Sequence, residues 1–242
     1  MAKEDCPHGL SNTITGCCVR HSNIEMNVSG TEGVQKLLKS ITGHEDEALI
    51  AMALYTGMRL GEILGLRWQD VDLEARKIHV QQTLQRLPNQ GFIFRAPKTE
   101  KGRRQIALSQ SAIDILHKVK KQQAEARLRL GSRYQDDGLV FCHEDGRPLD
   151  PTVVTHRFRR LADSLGLEGF RFHDLRHTHA TLLLAQGTHP KIVQERLGHE
   201  SISITLDTYS HVLPGLQEAA AEKLDIALSG TLGHRLGTDG TS

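Results

Sequence analysis

The residues best suited to chemistry lie in the run Phe172-His173-Asp174-Leu175-Arg176-His177-Thr178-His179-Ala180-Thr181. Read as a helix, this run sets His173 and Arg176 three residues apart on one face. A guanidinium there grips two phosphate oxygens at once, and an imidazole beside it takes or gives a proton near neutral pH. Taken alone, the run fits an ordinary amphipathic helix with a histidine-rich polar edge better than a site, and only its partners change that reading. A second pair, Arg59 and Glu62, follows Thr56-Gly57-Met58 at the same spacing. The carboxylate can orient the arginine, or the two can form a surface ion pair of little value. Lys98 lies in the segment Pro97–Arg103, which is expected to be the turn between two strands. On its flexible four-carbon stem it can reach a groove and donate a proton. Lys101, past the turn's tip, is the rival for that place. His199 follows Gly198 at an expected helix end, and Tyr209 sits in a short helix beyond it.

The elements that must position these groups follow from periodicity and caps. Thr31 is a candidate N-cap for a helix carrying Val34, Leu37 and Leu38. Residues 45–55 read as a mostly buried helix, ended by Gly57, and Leu60, Ile63 and Leu64 bury a short one after it. Residues 70–87 turn strand-like, with Ile78 and Val80 alternating against His79 and Gln81. Residues 91–95 and 104–108 are expected as two more strands joined by the 97–103 turn. Ser109 caps a long helix to about Leu130, and residues 138–142 read as a short strand. Asp150 caps a helix opened by Pro151 and running to about Leu165. The chemistry-bearing helix ends at Gly187, a short helix spans 191–197, and another covers 201–211. Residues 216–228 form a last amphipathic helix with Leu216, Ala220, Leu224 and Ala227 on one stripe.

Composition narrows the function classes. A chain of 242 residues with 38% hydrophobic and 24% charged residues can build a sizeable core and reads as globular. Only 4% of residues are aromatic, so base-stacking platforms are not expected to dominate nucleic-acid binding. The net charge of +1 says nothing for a polyanion, but the basic residues cluster. Arg95, Lys98, Lys101, Arg103 and Arg104 form one group and Arg157, Arg159 and Arg160 another, which supplies the local positive field a phosphate backbone needs. A third cluster, from Lys118 to Arg133, reads as a solvated helix face. The 4 cysteines are too few and too unevenly spaced for a disulfide scaffold and fit a reducing cytoplasm. Cys6, His8, Cys17, Cys18 and His21 lack the paired spacing of a zinc site. No apolar run approaches the ~20 residues of a membrane span, and no acidic cluster suits a pair of magnesium ions.

Taken together, Thr56-Gly-Met-Arg59-Leu-Gly-Glu62, Lys98, the His173–Thr181 run, Leu197-Gly198-His199 and Thr205-Leu-Asp-Thr-Tyr209-Ser-His-Val resemble the catalytic domain of the tyrosine recombinase, or phage integrase, family. The flavour is that of integrases from phages and mobile elements of bacteria, and the match covers roughly residues 29–228. The resemblance implies a mainly α fold with a small antiparallel β-sheet (α+β). It also implies these roles: Arg59 and Arg176 clamp the scissile phosphate, His173 manages the nucleophile's proton, and His199 hydrogen-bonds the phosphate. Lys98 protonates the departing 5′ oxygen, Glu62 supports, and Tyr209 is the nucleophile that forms a 3′-phosphotyrosyl link. No metal, ATP or other cofactor is implied. The partners implied are double-stranded DNA, a homotetramer on two DNA sites and an accessory directionality factor, in a bacterial cytoplasm with no membrane. Arg95, Lys101, Arg103, Arg104, Arg157, Arg159 and Arg160 are candidate DNA contacts. His177, His179 and His211 fall outside the family's catalytic positions and are assigned to structure.

Family members generally carry a core-binding domain before the catalytic one, whereas residues 1–28 here read as loosely ordered or as a remnant. The chain is therefore expected to be a catalytic fragment with a flexible tail at 229–242. The helix at 216–228 is expected to dock on a neighbouring protomer or fold back in cis. Two alternatives stand beside the recombinase: a truncated DNA-binding module without turnover, and a type IB topoisomerase-like relaxing enzyme.

Overall fold

The computed structural model describes residues 31–97, 100–209 and 216–232. Its centre is helix α2 (Glu47–Thr56), whose sequence EALIAMALYT is apolar on nearly every side. A helix of that kind must be surrounded, and Leu49, Ile50, Met52, Ala53 and Leu54 are all buried. Helix α1 (Thr31–Ser40) packs Val34 and Leu37 into the same core. Helix α3 (Leu60–Leu64) follows after the Gly57 break. Two more helices are capped as the sequence predicts. The Ser109 hydroxyl accepts from the Ala112 N–H (3.4 Å) at the start of α4 (Gln110–Leu130), and the Asp150 carboxylate accepts from the Thr152 N–H (2.9 Å) at the start of α5 (Pro151–Ser164). The chain ends in α6 (Asp174–Ala185), α7 (Pro190–Leu197), α8 (Ile202–Tyr209) and α9 (Leu216–Leu232). Helices α4 and α6 both pack against α2.

The β-structure departs from expectation. The strands are β1 (Val71–Asp72), β2 (Lys77–Val80), β3 (Thr83–Leu87), β4 (Gly91–Arg95) and β5 (Arg104–Ala107). They form two antiparallel sheets, β1-β2-β5 and the hairpin β3-β4. The strands at 91–95 and 104–107 therefore do not pair with each other. In register, Val80 faces Arg104 and Thr83 faces Arg95. The long strand read across residues 70–87 breaks at Gln81-Gln82, where the Gln82 side chain donates to Gly65 O (2.8 Å). Helix α3 makes the break possible. A Cβ on Gly61 would lie 2.4 Å from Thr83 Oγ1 and 2.8 Å from Leu84 O, and one on Gly65 would lie 2.9 Å from Leu84 N. Two glycines four residues apart thus let β3 run directly against the helix backbone. Residues 138–142 contribute only isolated bridges, Arg67 to Leu139 and Cys142 to Pro148.

An aromatic group aims the chemistry-bearing helix. Phe158 of α5 is buried, with its ring edge-on to Phe172 (5.3 Å, 72°) and tilted to Phe170 (6.0 Å). Residues 170–173 are the entry to α6, so this cluster sets the direction in which that helix leaves. A smaller core of Ala180, Leu184, Val193 and Leu197 joins α6 to α7. Phe158→Ala is expected to destabilise the fold by about 3–5 kcal/mol through the cavity it opens, measurable by urea denaturation. A loss under about 1 kcal/mol would show that the 170–173 entry is held by something else.

Candidate active site

The candidate residues converge on one cleft of about 570 Å³, lined among others by Arg59, Glu62, His173, Arg176, His177, Gly198 and His199. Its walls come from α3 and the Arg59 before it, the start of α6, the residues just after α7, Ile204 of α8, and β3, which adds Thr83 and Gln85. A second concavity, of about 370 Å³, is lined at the N-terminal end of α2 by Glu45 and Asp46 and further by Glu125 and Glu144, against one arginine, Arg129. That sign of charge does not suit a phosphate.

Arg176 is 3% exposed, and its guanidinium donates to Gly57 O and Leu197 O, both at 2.7 Å. Those carbonyls lie at the C-terminal ends of α2 and α7, where a helix has acceptors to spare and a partial negative charge. The arginine thereby becomes part of the frame and keeps its position at the cleft. Arg59, two residues past Gly57, keeps 43% of its side chain exposed. Its guanidinium donates to Glu62 Oε1 (2.8 Å) and its backbone N–H to Glu62 Oε2 (3.0 Å).

Glu62 is buried and also receives a two-pronged bond from Arg104, with Nη1 to Oε1 at 3.1 Å and Nη2 to Oε2 at 2.8 Å. Burial pushes the Glu62 carboxyl up, but the bonds and charge of Arg104, with Arg59, outweigh it and hold its pKa at about 2. The carboxylate stays charged and fixes Arg59 in place.

Arg104 is thus turned inward, with 6% of its side chain exposed. Its Nε donates to Arg196 O (2.7 Å) and its Nη1 to Gly102 O (3.2 Å). It holds the 100–104 segment against the end of α7. Gly198 fits that contact with φ +67°, where a Cβ would meet Lys101 O at 2.9 Å and the Arg104 side chain at 3.0 Å. Lys101 Nζ donates to Glu200 O (2.6 Å), beside His199.

The next residue, His199, is aimed by Thr205. Its Nδ1 pairs with Thr205 Oγ1 at 2.9 Å, and Thr205 is fully buried on α8. This leaves Nε2 for a ligand. Burial, followed by Arg176 and Arg59, pushes the His199 pKa down to about 4. His173 is lowered in the same way, by crowding and then by Arg176. The His177 ring stands edge-on to His173 (4.9 Å, 82°).

Several sequence expectations change here. Arg104 and Arg157, read as DNA contacts, are committed to carboxylates inside the protein. Arg157 binds Asp46 (2.7 Å) and Glu45 (2.6 Å) at the far end of α2, about 15 Å from the cleft for a ten-residue helix. Arg95, Arg103, Arg159 and Arg160 are exposed. His177, assigned to structure, lines the cleft. His179 is structural as read, with Nδ1 bonded to Leu54 O (2.7 Å). Thr83, Gln85 and Thr205 were missed, because nothing local in their sequence marks them. Lys98 and His211 lie outside the described residues, as do Cys6, His8, Cys17, Cys18 and His21. Tyr209 is the last residue of α8, one turn beyond Thr205, and its side chain is likewise outside. Among the described residues, no three His, Cys, Asp or Glu side chains gather as a metal site, and no helix is long and apolar enough to cross a membrane.

Comparison with known proteins shows what this chain is similar to. The phage integrase family matches residues 31–215. The chain is 33% identical, over 93% of its length and 60% of the relative's, to a tyrosine recombinase XerC-like protein of Caldanaerobacter subterraneus subsp. tengcongensis. It is 33% identical to the ICEBs1 integrase of Bacillus subtilis, over 72% of this chain and 47% of that one. It spans about half the length of such curated relatives. Among solved structures it resembles the Tn1549 transposon integrase in complex with transposon right end DNA (TM-score 0.68, 26% identity, 82% of this chain and 65% of that one).

The buried imidazoles predict a pH dependence of stability. In the unfolded chain a histidine takes up a proton near pH 6.5, whereas folded His179 and His199 resist it until about 4. Between those values the unfolded state binds more protons, so stability falls as pH falls from 6.5 towards 4. Asp46, whose carboxyl burial pushes up, works in the opposite direction. The urea midpoint is expected to be clearly lower at pH 4.5 than at pH 7.5. Equal midpoints would show that these imidazoles are not held neutral.

Proposed function

The chain belongs to the phage integrase family, and on that premise we propose that it is the catalytic domain of a site-specific DNA recombinase. It cuts and rejoins double-stranded DNA through a 3′-phosphotyrosyl intermediate. The observation that carries this reading is the convergence of Arg59, Arg176, His173 and His199 on one cleft. Tyr209, Lys98 and the exposed Arg95, Arg103, Arg159 and Arg160 are assigned by the resemblance and by their place in the chain.

The chemistry follows from the charges. The Tyr209 oxygen attacks the scissile phosphorus and the P–O5′ bond breaks. The tyrosine gives up its proton with help from His173, and the departing 5′ oxygen takes one from Lys98. A phenol of pKa ~10 is a weak nucleophile at neutral pH without such help. In the crowded transition state, negative charge grows on the non-bridging oxygens. Arg59 and Arg176 meet that charge already in position, and His199 donates from Nε2, so little reorganisation is needed as the charge forms. Before DNA arrives, burial and then the two arginines disfavour a proton on His199. A bound phosphate reverses that balance and favours the protonated, donating imidazole. The phosphotyrosyl bond keeps the energy of the broken diester, so a second 5′ hydroxyl can reverse the step without ATP.

Assembly completes the reading. Recombination joins two DNA sites, so a homotetramer is proposed, with an accessory factor setting direction. Helix α9 exposes Leu224 (61%), Ile226 (75%) and Leu228 (45%), which supports its docking on a neighbouring protomer rather than in cis.

Covalent capture tests the chemistry. Incubation with a library of nicked duplexes, in which loss of the short 5′-hydroxyl strand traps the intermediate, is expected to yield a protein–DNA adduct on a denaturing gel. Tyr209→Phe is expected to abolish it, and EDTA to leave it unchanged. A folded wild-type protein that forms no adduct, with or without an added core-binding domain, would instead be a binding module. Deleting residues after Pro214 is expected to weaken assembly on DNA. Unchanged assembly and cleavage would place α9 in cis.

A further inference from the structure

We infer that His179 and Arg196, which take no part in lining the cleft, are positioning residues for Arg59 and Arg176. They act by fixing the last turn of α2; the inference rests on the recombinase reading above. The Arg196 guanidinium makes three bonds: Nε to His179 Nε2 (3.1 Å), Nη2 to Tyr55 O (2.9 Å) and Nη1 to Ala107 O (3.0 Å). None of these acceptors is a carboxylate. Desolvating a cation in this way is costly, and burial, with Arg104 nearby, lowers the Arg196 pKa. What the arrangement provides is connection, since one planar fork ties the end of α2, strand β5 and helix α6 to α7.

His179 completes the tie, and its tautomer follows from its neighbours. A guanidinium carries donors only, so the Nε2 facing it must accept. The ring proton therefore sits on Nδ1 and is donated to Leu54 O at 2.7 Å. Consecutive carbonyls at the end of α2, Leu54 O and Tyr55 O, are thus capped by His179 and Arg196, and Gly57 O by Arg176. The imidazole also forms the surface on which Gly57 lies. A Cβ on Gly57 would stand 2.6 Å from His179 Cδ2. Arg59 leaves this turn two residues later, with no slack between Gly57 and the cleft. A shift of the last turn of α2 would move the Arg59 backbone and the carbonyl that seats Arg176 together.

The test uses the full chain, ¹⁵N-labelled, with Arg196→Met and the milder Arg196→Lys. In the wild type, imidazole ¹⁵N shifts are expected to give His179 as the Nδ1–H tautomer. In Arg196→Met, the Gly57 amide and the Arg59 Nε–H signals are expected to move. On saturating nicked duplex, the first-order rate of adduct formation is expected to fall on the order of 10- to 100-fold, with DNA affinity changed less than about threefold. Arg196→Lys, which keeps the charge and part of the donor set, is expected to recover some of the rate. If Arg196→Met does not fold, Arg196→Lys carries the comparison against the wild type. Three results would each overturn the inference: an Nε2–H tautomer at His179, a wild-type rate in the folded variant, or a rate loss matched by the loss of DNA affinity. A wild type that forms no adduct counts against the recombinase reading instead. The Arg59 signal then decides the positioning role, which is refuted if Arg196→Met leaves it unmoved.

Discussion

A single buried guanidinium joins the two helix ends on which the site is built. Arg176 lies where α2 and α7 terminate and donates to one carbonyl from each, Gly57 O and Leu197 O, at 2.7 Å. Helix C-termini concentrate unpaired acceptors and partial negative charge, so two of them converging make a favourable seat for a cation. The residues that follow each terminus, Arg59 after Gly57 and His199 after Gly198, are thereby brought to the cleft that Arg176 lines. The rest of the structure serves this junction. The Phe158–Phe172 contact aims α6, the small core of Leu184, Val193 and Leu197 holds α7 beside it, and Gly61 and Gly65 let β3 close the wall.

Electrostatics divides the arginines into those that hold and those left facing the cleft. Arg104 neutralises Glu62 with a two-pronged bond inside the protein, where low polarisability makes the pair strong and an unpaired partner costly. Both Glu62 oxygens also accept from Arg59, one from its backbone N–H and one from its guanidinium, which remains partly exposed. A carboxylate held near pKa 2 does not pick up a proton in the physiological range. Arg59 is therefore oriented without its charge being cancelled, because Arg104 already balances Glu62. Burial first, and the two nearby arginines after it, leave His199 neutral in the DNA-free protein, so a further positive charge is unfavourable until an anion enters.

Much of this was legible in the residues. The caps at Ser109 and Asp150 are local chemistry, decided by side chains two or three positions from the groups they bind, and they stand where they were read. The i,i+3 pairs Arg59–Glu62 and His173–Arg176 were legible for the same reason. The pairing of strands was not. Alternation marked residues 91–95 and 104–107 as extended, but a strand's partner depends on where the chain bends, and the bend at Gln81-Gln82 depends on a carbonyl of Gly65.

The sequence by itself determined the family, the order of the motifs and the three-residue spacings that join Arg59 to Glu62 and His173 to Arg176. Those are properties of neighbours along the chain. The tertiary structure alone decided which basic residue faces the cleft and which faces a carboxylate. Arg104 meets Glu62 across 42 positions, Arg157 meets Asp46 across 111 and Arg176 meets Gly57 O across 119. An arginine's local sequence is the same whether it is to bind a phosphate, a carboxylate or a helix end. What separates the three outcomes is which acceptor is buried beside it once the chain has folded, because burial makes pairing obligatory.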